Sequence, residues 1–164
     1  MHITILTVGT QGDVQPYVAL GMGLIAAGHR VTLVTSARFA ALAARHGLGH
    51  RSLPVDFLDL VQTPEGQKTL SGGNKLNLMK RIMPLLRQML DAAWAATTDS
   101  EAVLYHPKAL AGYHIAEARR IPGILTHPLP LASPTGAFPS VVLPLPSLGP
   151  WLNRLSHRLF LWAS

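Results

Sequence analysis

Asp13 is the residue of this chain whose setting most suggests chemistry. It lies in the stretch GTQGDVQP, where Gly9 and Gly12 shape a turn, Asp13 follows, and Pro16 comes soon after. A dinucleotide-gripping loop needs G-x-G-x-x-G and an acidic residue at the end of the next strand to hold a ribose. Here the middle glycine is missing and Val34-Thr35-Ser36 supplies no carboxylate. Asp13 also puts negative charge where a pyrophosphate must sit. A Walker loop fails too, because no Gly-Lys-Ser or Gly-Lys-Thr follows.

Two readings of the turn stay open. As structure, Gly9 and Gly12 form the tight turn, Asp13 caps the following helix, and Pro16 falls in the first turn, where its missing N–H is not needed. As function, the turn leaves the carboxyl end of a strand, where open α/β sheets bind ligands. A carboxylate there can accept a proton from a substrate hydroxyl. Helix-terminal N–H groups keep it ionised, which makes it a weak base.

Other residues offer less. His106 and His127 each end an expected strand and precede a proline; they either line the same crevice or simply bond to backbone. His46 and His50 stand four apart, but Gly47 and Gly49 break a helix there and no third ligand is near. No metal site is expected. His29 and His114 receive no role. The uncharged segment from Pro128 to Pro150 either wraps the sheet edge or forms an apolar wall for a lipid-like ligand, with Phe138 in contact. Met79, Met83 and Met89 suit an adaptable pocket or a core equally.

The elements that must position these residues follow from periodicity. Ile3 to Val8 is a short β-rich run, read as a strand buried on both faces. Val14 to Ala27 has helical spacing, with Tyr17, Val18, Gly21, Leu24 and Ile25 on one face and Gly28 at the C-terminal end. Arg30 to Thr35 is a second strand. Ser36 caps a helix to Arg45, stopped by Gly47, and His50 to Val55 is a third strand. The segment from Thr63 to Lys75 is rich in turn formers and reads as a loop. Leu76 to Thr97 is helical, carrying Met79, Ile82, Met83, Leu86, Met89, Leu90 and Ala93 on one stripe with Pro84 inside. AVLYH and GILTH are two more strands flanking a helix from Leu110 to Arg120. A final amphipathic stretch places Leu152, Leu155, Leu159 and Trp162 on one face. The alternation implies an α/β fold, a parallel sheet with right-handed crossovers flanked by helices.

The chain has 164 residues, 48% of them hydrophobic and 13% charged, enough for a sizeable core and too apolar for disorder. No cysteine is present, so disulfides and thiolate metal sites are excluded. The net charge of +6 is scattered without a dense Lys/Arg run, so nucleic acid is not an expected partner. A weak attraction to an anionic membrane surface fits that charge better. MHITILTV has neither the basic start nor the cleavage site of a signal peptide. The longest stretch without Asp, Glu, Lys or Arg, from Ile121 to Asn153, holds eight of the thirteen prolines and cannot be a membrane helix. The expected location is cytoplasmic, with peripheral membrane contact.

Five pieces then carry a resemblance: VGTQGDVQPYVALGMGLIAAGHRVTLVT, GGNKL, HPKALAGYHIAEARRIP, PTGAFPS and LGPWLNRLSHRL. In this order they span most of the chain, which resembles the amino-terminal part of sterol glucosyltransferases and antibiotic glycosyltransferases. The resemblance implies a Rossmann-like sheet, the amino-terminal half of a GT-B fold, with residues 1–164 as a truncated acceptor-binding domain. It implies an inverting transfer of hexose from a nucleotide sugar, UDP-glucose as co-substrate, to an apolar alcohol such as a sterol. Asp13 takes the place of the base, with capping as a compatible second task, and Gly12, His106, His127 and Phe138 become acceptor-binding candidates. The carboxyl-terminal donor domain of such enzymes has no counterpart here, so the expectation is half an active site, inactive alone, with no covalently bound cofactor. A stand-alone binding module without catalysis is the alternative.

Overall fold

The computed structural model describes residues 1–54, 75–128, 133–140, 146–147 and 149–163. These fall into two compact units, Met1–Thr126 and His127–Ser164. In the first unit, β1 (His2–Leu6), α1 (Gln11–Ala26), β2 (Arg30–Ser36), α2 (Ala40–Arg45) and β3 (Gly49–Leu53) alternate as expected. They are followed by α3 (Lys75–Ala96), β4 (Ala102–Tyr105), α4 (Ala111–Arg119) and β5 (Gly123–Leu125). The loop expected from Thr63 to Lys75 lies outside the described residues, except that Lys75 already begins α3.

The five strands form one sheet in the order β3-β2-β1-β4-β5, and every neighbouring pair is parallel. Both faces are covered, so every residue of β1 is buried. Ile3, Ile5, Val31 and Leu33 pack with Val14, Tyr17 and Val18 of α1. On the other face Leu6, Val34 and Val103 pack with Ala93 and Ala96 of α3 and Ile115 of α4. Alternate residues of one strand thus enter opposite layers, the signature of a sheet between two sets of helices. Strand order reverses at β1 and β4, so the chain leaves these two neighbours in opposite lateral directions and opens a crevice at their carboxyl ends.

Several boundaries shift for physical reasons. The first helix begins at Gln11, three residues before the expected Val14, with Thr10 at its N-cap. Pro16 therefore lies in the second turn, where its missing N–H costs the bond that the Gly12 carbonyl would accept. Ser36 precedes a short 3₁₀ turn, Ala37–Phe39, and makes no side-chain cap. Gly28 does end α1: it adopts φ 85° and donates its N–H to the Ile25 carbonyl. On α3, Ala93 is buried and Met89 half-buried, while Met83, Leu86 and Leu90 are exposed. The side chains of Met79 and Ile82 lie outside the described residues.

In the second unit, α5 (Pro150–Ala163) is amphipathic as its spacing predicts, but it is the polar side that is turned inward. Leu152, Leu159 and Trp162 are exposed, whereas Asn153, Ser156 and His157 are buried. The cause is the irregular backbone of 133–140, whose polar groups need partners that no sheet supplies. Asn153 donates to the Gly136 carbonyl at 3.0 Å, Ser156 accepts the Ser140 N–H at 2.8 Å, and His157 donates to the Phe138 carbonyl at 3.1 Å. Among the described residues no helix is long and apolar enough to cross a membrane.

Gly112 gives the fold its sharpest test. A Cβ there would collide with the Cβ of Tyr105 and stand 2.7 Å from its ring carbon Cγ, so α4 rides on β4 closer than alanine permits. Gly112→Ala is expected to destabilise the protein by about 1–3 kcal/mol through overpacking, more than the ~1 kcal/mol that alanine returns in helix propensity. Urea denaturation measures it, and a gain in stability would show that the contact is not tight.

Candidate active site at the β1 and β4 strand ends

The site begins with register. Leu6 stands opposite Tyr105 in the β1–β4 ladder, and the next amide, that of His106, donates to the Leu6 carbonyl at 2.9 Å. The loop after β1 and the 3₁₀ turn after β4 (Pro107–Ala109) must therefore emerge side by side. Asp13 comes from the first, His106 and Lys108 from the second.

Asp13 occupies the third position of α1, and its carboxylate reaches back to the N-cap. Its Oδ2 accepts the Thr10 amide at 2.8 Å and the Thr10 hydroxyl at 3.0 Å. Thr10 is the N-cap residue, so Asp13 stabilises the helix start from inside the first turn, not from the cap position itself. Oδ1 faces the other loop: Lys108 Nζ stands 2.7 Å away and His106 Nε2 3.5 Å away. The Asp13 side chain is 16% exposed.

These neighbours set its charge. Burial works against the ionised carboxylate, but the Lys108 ammonium and the two Thr10 donors outweigh it and hold the Asp13 pKa below its ordinary value. Asp13 is thus an anion through the neutral range. Because its folded-state pKa is lowered, its contribution to stability is present above the ordinary carboxylate value and lost as pH falls through the lowered one.

His106 is buried and oriented by its own turn. Its Nδ1 accepts the Lys108 amide at 2.9 Å, which leaves the ring proton of the neutral tautomer on Nε2, the nitrogen nearest Asp13. Both readings of His106 are met at once: it bonds to backbone and it faces the crevice. Tyr17 packs its ring edge-on to His106 with centroids 5.7 Å apart and donates its hydroxyl to the Thr126 carbonyl at 2.6 Å. Burial and the nearby Asp13 charge push the Tyr17 phenol above its ordinary pKa, against the lowering effect of its Thr126 hydrogen bond.

Of the turn residues, Gly9 alone is indispensable. It adopts φ 133°, and a Cβ there would overlap the Asp13 carboxylate. Gly12 lies within the helix, where a Cβ would find nothing nearer than the Thr10 hydroxyl at 3.7 Å. Gly12 and Pro16 are therefore helix residues and not turn formers. Arg38 clamps the turn by donating to the Gly9 carbonyl at 2.7 Å. His127 and Phe138 belong to the second unit, where His127 is exposed and Phe138 stacks edge-on against His157. Among the described residues no cluster of His, Asp and Glu fits a metal ion.

The turn from Lys108 to Ala111 also walls an apolar cavity of about 250 Å³, with Leu6, Val8, Leu53, Met89 and Ala93. Lys108 thus lines this cavity and pairs with Asp13. Sequence reasoning missed Lys108, Thr10 and this cavity. Lys108 stands three residues past the end of β4, and only the β1–β4 register brings that position beside the loop after β1. Gly9→Ala should destabilise the chain by about 1–3 kcal/mol and shift the Thr10 amide resonance as the carboxylate is displaced. An unchanged Thr10 resonance in a folded variant would mean that Gly9 does not shape the Asp13 seat.

Comparison with known proteins identifies the family and the fold. Residues 3–133 match the glycosyltransferase family 28 N-terminal domain. The sterol 3-beta-glucosyltransferase of Candida albicans is 35% identical over 160 residues, covering 97% of this chain and 10% of that protein. That of Eremothecium gossypii is 33% identical, covering 94% of this chain and 13% of its own length. The chain thus spans about a tenth of the curated relatives it matches. Among solved structures, the calicheamicin glycosyltransferase CalG4 superposes with a TM-score of 0.59 at 25% identity, over 84% of this chain and 32% of CalG4. The glycosyltransferase SsfS6 of Streptomyces sp. SF2575, solved with thymidine diphosphate, gives 0.59 at 26% identity, over 77% of this chain and 38% of its own. The fold is the Rossmann-like amino-terminal half of the GT-B architecture, and the chain belongs to the glycosyltransferase family 28 N-terminal domain family.

Proposed function

We propose that this chain is the acceptor-binding part of an inverting glycosyltransferase that moves a hexose from a nucleotide sugar, UDP-glucose, to the hydroxyl of an apolar alcohol such as a sterol. The observation that carries the reading is an ionised carboxylate, Asp13, in the turn that follows β1, paired through Oδ1 with Lys108, which itself lines an apolar cavity. The hydroxyl oxygen attacks the anomeric carbon as its proton passes to Asp13, and the bond from that carbon to the nucleotide diphosphate breaks on the opposite side. Inversion follows from a single displacement. A carboxylate this weak in basicity serves because proton transfer comes late and a diphosphate is a good leaving group. The donor is held by a carboxyl-terminal domain, for which the greater length of the relatives leaves room, and these 164 residues alone do not catalyse transfer.

The identity of two relatives as sterol 3-beta-glucosyltransferases supports a sterol or similar acceptor. The wall formed by Met89, Leu53 and Ala93 offers apolar contact without a polar group to reject it. His106, from the same turn as Lys108, orients Asp13, and Phe138 and His127 are carried forward as acceptor-binding candidates on the resemblance alone. In a protein carrying both domains, Asp13→Asn should lower kcat by about 10²-fold or more in transfer from labelled UDP-glucose to sterols, with donor binding nearly unchanged. Near-normal turnover by the folded variant would reduce Asp13 to a helix-start residue and favour a binding role.

The outward face of α5 supports a cytoplasmic enzyme in peripheral contact with an anionic membrane. Trp162 is 87% exposed, Trp151, Leu152 and Leu159 are exposed with it, and Arg154 and Arg158 stand among them. This is the pattern of a helix that lies in a lipid interface. The chain should float with phosphatidylserine vesicles, and Arg154→Gln with Arg158→Gln should weaken that binding. Equal recovery on neutral and anionic vesicles would contradict the electrostatic part.

A further inference from the structure

Asp13 presents two oxygens of unequal access. Oδ2 takes two donors from Thr10 and fills the space that a Gly9 Cβ would need, so it is closed to a substrate. A hydroxyl that gives its proton to Asp13 must therefore approach Oδ1. In the acceptor-free site that oxygen is met by Lys108 Nζ at 2.7 Å, hydrogen-bonding distance for an incoming hydroxyl.

We propose that Lys108 is a positioning residue that holds the place of the acceptor hydroxyl on Asp13 and is displaced by it. The proposal rests on Asp13 being the base for an apolar alcohol. Three observations favour Lys108 as the partner that yields. Its side chain is 58% exposed and carried by a short turn, so its ammonium can leave for solvent at little cost. His106, the other group facing Oδ1, is 5% exposed, with its ring fixed by the Lys108 amide and the edge of Tyr17. Lys108 both lines the apolar cavity and meets Oδ1, so it is the residue that an occupant of the cavity and the carboxylate have in common.

The exchange has a chemical consequence. While Lys108 is in place, Asp13 is held as a stable anion and spared from solvent. When the ammonium leaves and an apolar molecule covers the site, the carboxylate loses a cation and some hydration, and both changes raise its proton affinity. The base is thus weak when idle and stronger once an acceptor is seated. Among the described residues, the groups around Asp13 are Thr10 and Tyr17 of the α1 region, His106 and Lys108 after β4, and Arg38 after β2, which acts through the Gly9 carbonyl.

The test pairs two readouts on the 164-residue chain and its Lys108→Met and Lys108→Arg variants. Carbon-detected NMR follows the Asp13 carboxyl through acid titration, and binding is measured for cholestanol and for its ketone counterpart, cholestanone. Lys108→Met should move the Asp13 midpoint up toward the ordinary carboxylate value. It should tighten cholestanol about two- to five-fold, the span of an exposed ion pair, without tightening cholestanone, and Lys108→Arg should behave as the parent. An unmoved Asp13 midpoint, or alcohol and ketone shifting together, would overturn the displacement proposal alone. Failure of the parent and both variants to bind either sterol would overturn the sterol-acceptor reading, and the proposal with it.

Discussion

The parallel ladder between β1 and β4 is the constraint on which the rest of the site depends. With Leu6 opposite Tyr105, the residues that follow each strand have no choice but to meet. The reversal of strand order at this pair keeps crossover helices from filling the space above it. Shift the register by one residue and the layers of the core would exchange faces. The buried run of β1, from His2 to Leu6, thus positions chemistry seven residues further on.

Charge at the site is balanced so that one anion is kept ready without being exposed. Thr10 satisfies one oxygen of Asp13 from within the helix start, and the helix dipole favours negative charge in that turn. Lys108 and His106 reach the other oxygen from a separate loop. The helix-start bonds and the proposed proton acceptance therefore use different oxygens: Oδ2 takes the Thr10 donors, and Oδ1 faces Lys108 and His106. Gly9 makes the division possible, since any side chain there would fill the space that Oδ2 uses.

The sheet was legible in the sequence because its strands are short, β-branched and bounded by glycines, as Ile3 to Leu6 and Arg30 to Thr35 illustrate. Asp13 was legible as a carboxylate in a strand-to-helix turn because Gly9, Gly12 and Pro16 bracket it, although the turn pattern left its structural and chemical readings both open. The start of α1 was misplaced because Gly12 and Pro16 look like turn residues, yet the helix accommodates both once Thr10 caps it. Lys108 was hidden for a different reason: its importance comes from pairing across 95 positions of sequence, which only the register reveals. Which side of α5 faces inward was not legible from its spacing: backbone groups of the irregular segment 133–140 bond to Asn153, Ser156 and His157, and this draws the polar side in.

The central claim is that an acceptor hydroxyl meets Asp13 at Oδ1. A crystal structure of the protein with a bound sterol alcohol tests this most directly. The account predicts the hydroxyl oxygen about 2.6–3.2 Å from Oδ1, the Thr10 bonds to Oδ2 intact, and the Lys108 ammonium withdrawn. A sterol bound with its hydroxyl remote from Asp13, and Lys108 still in place, would contradict it.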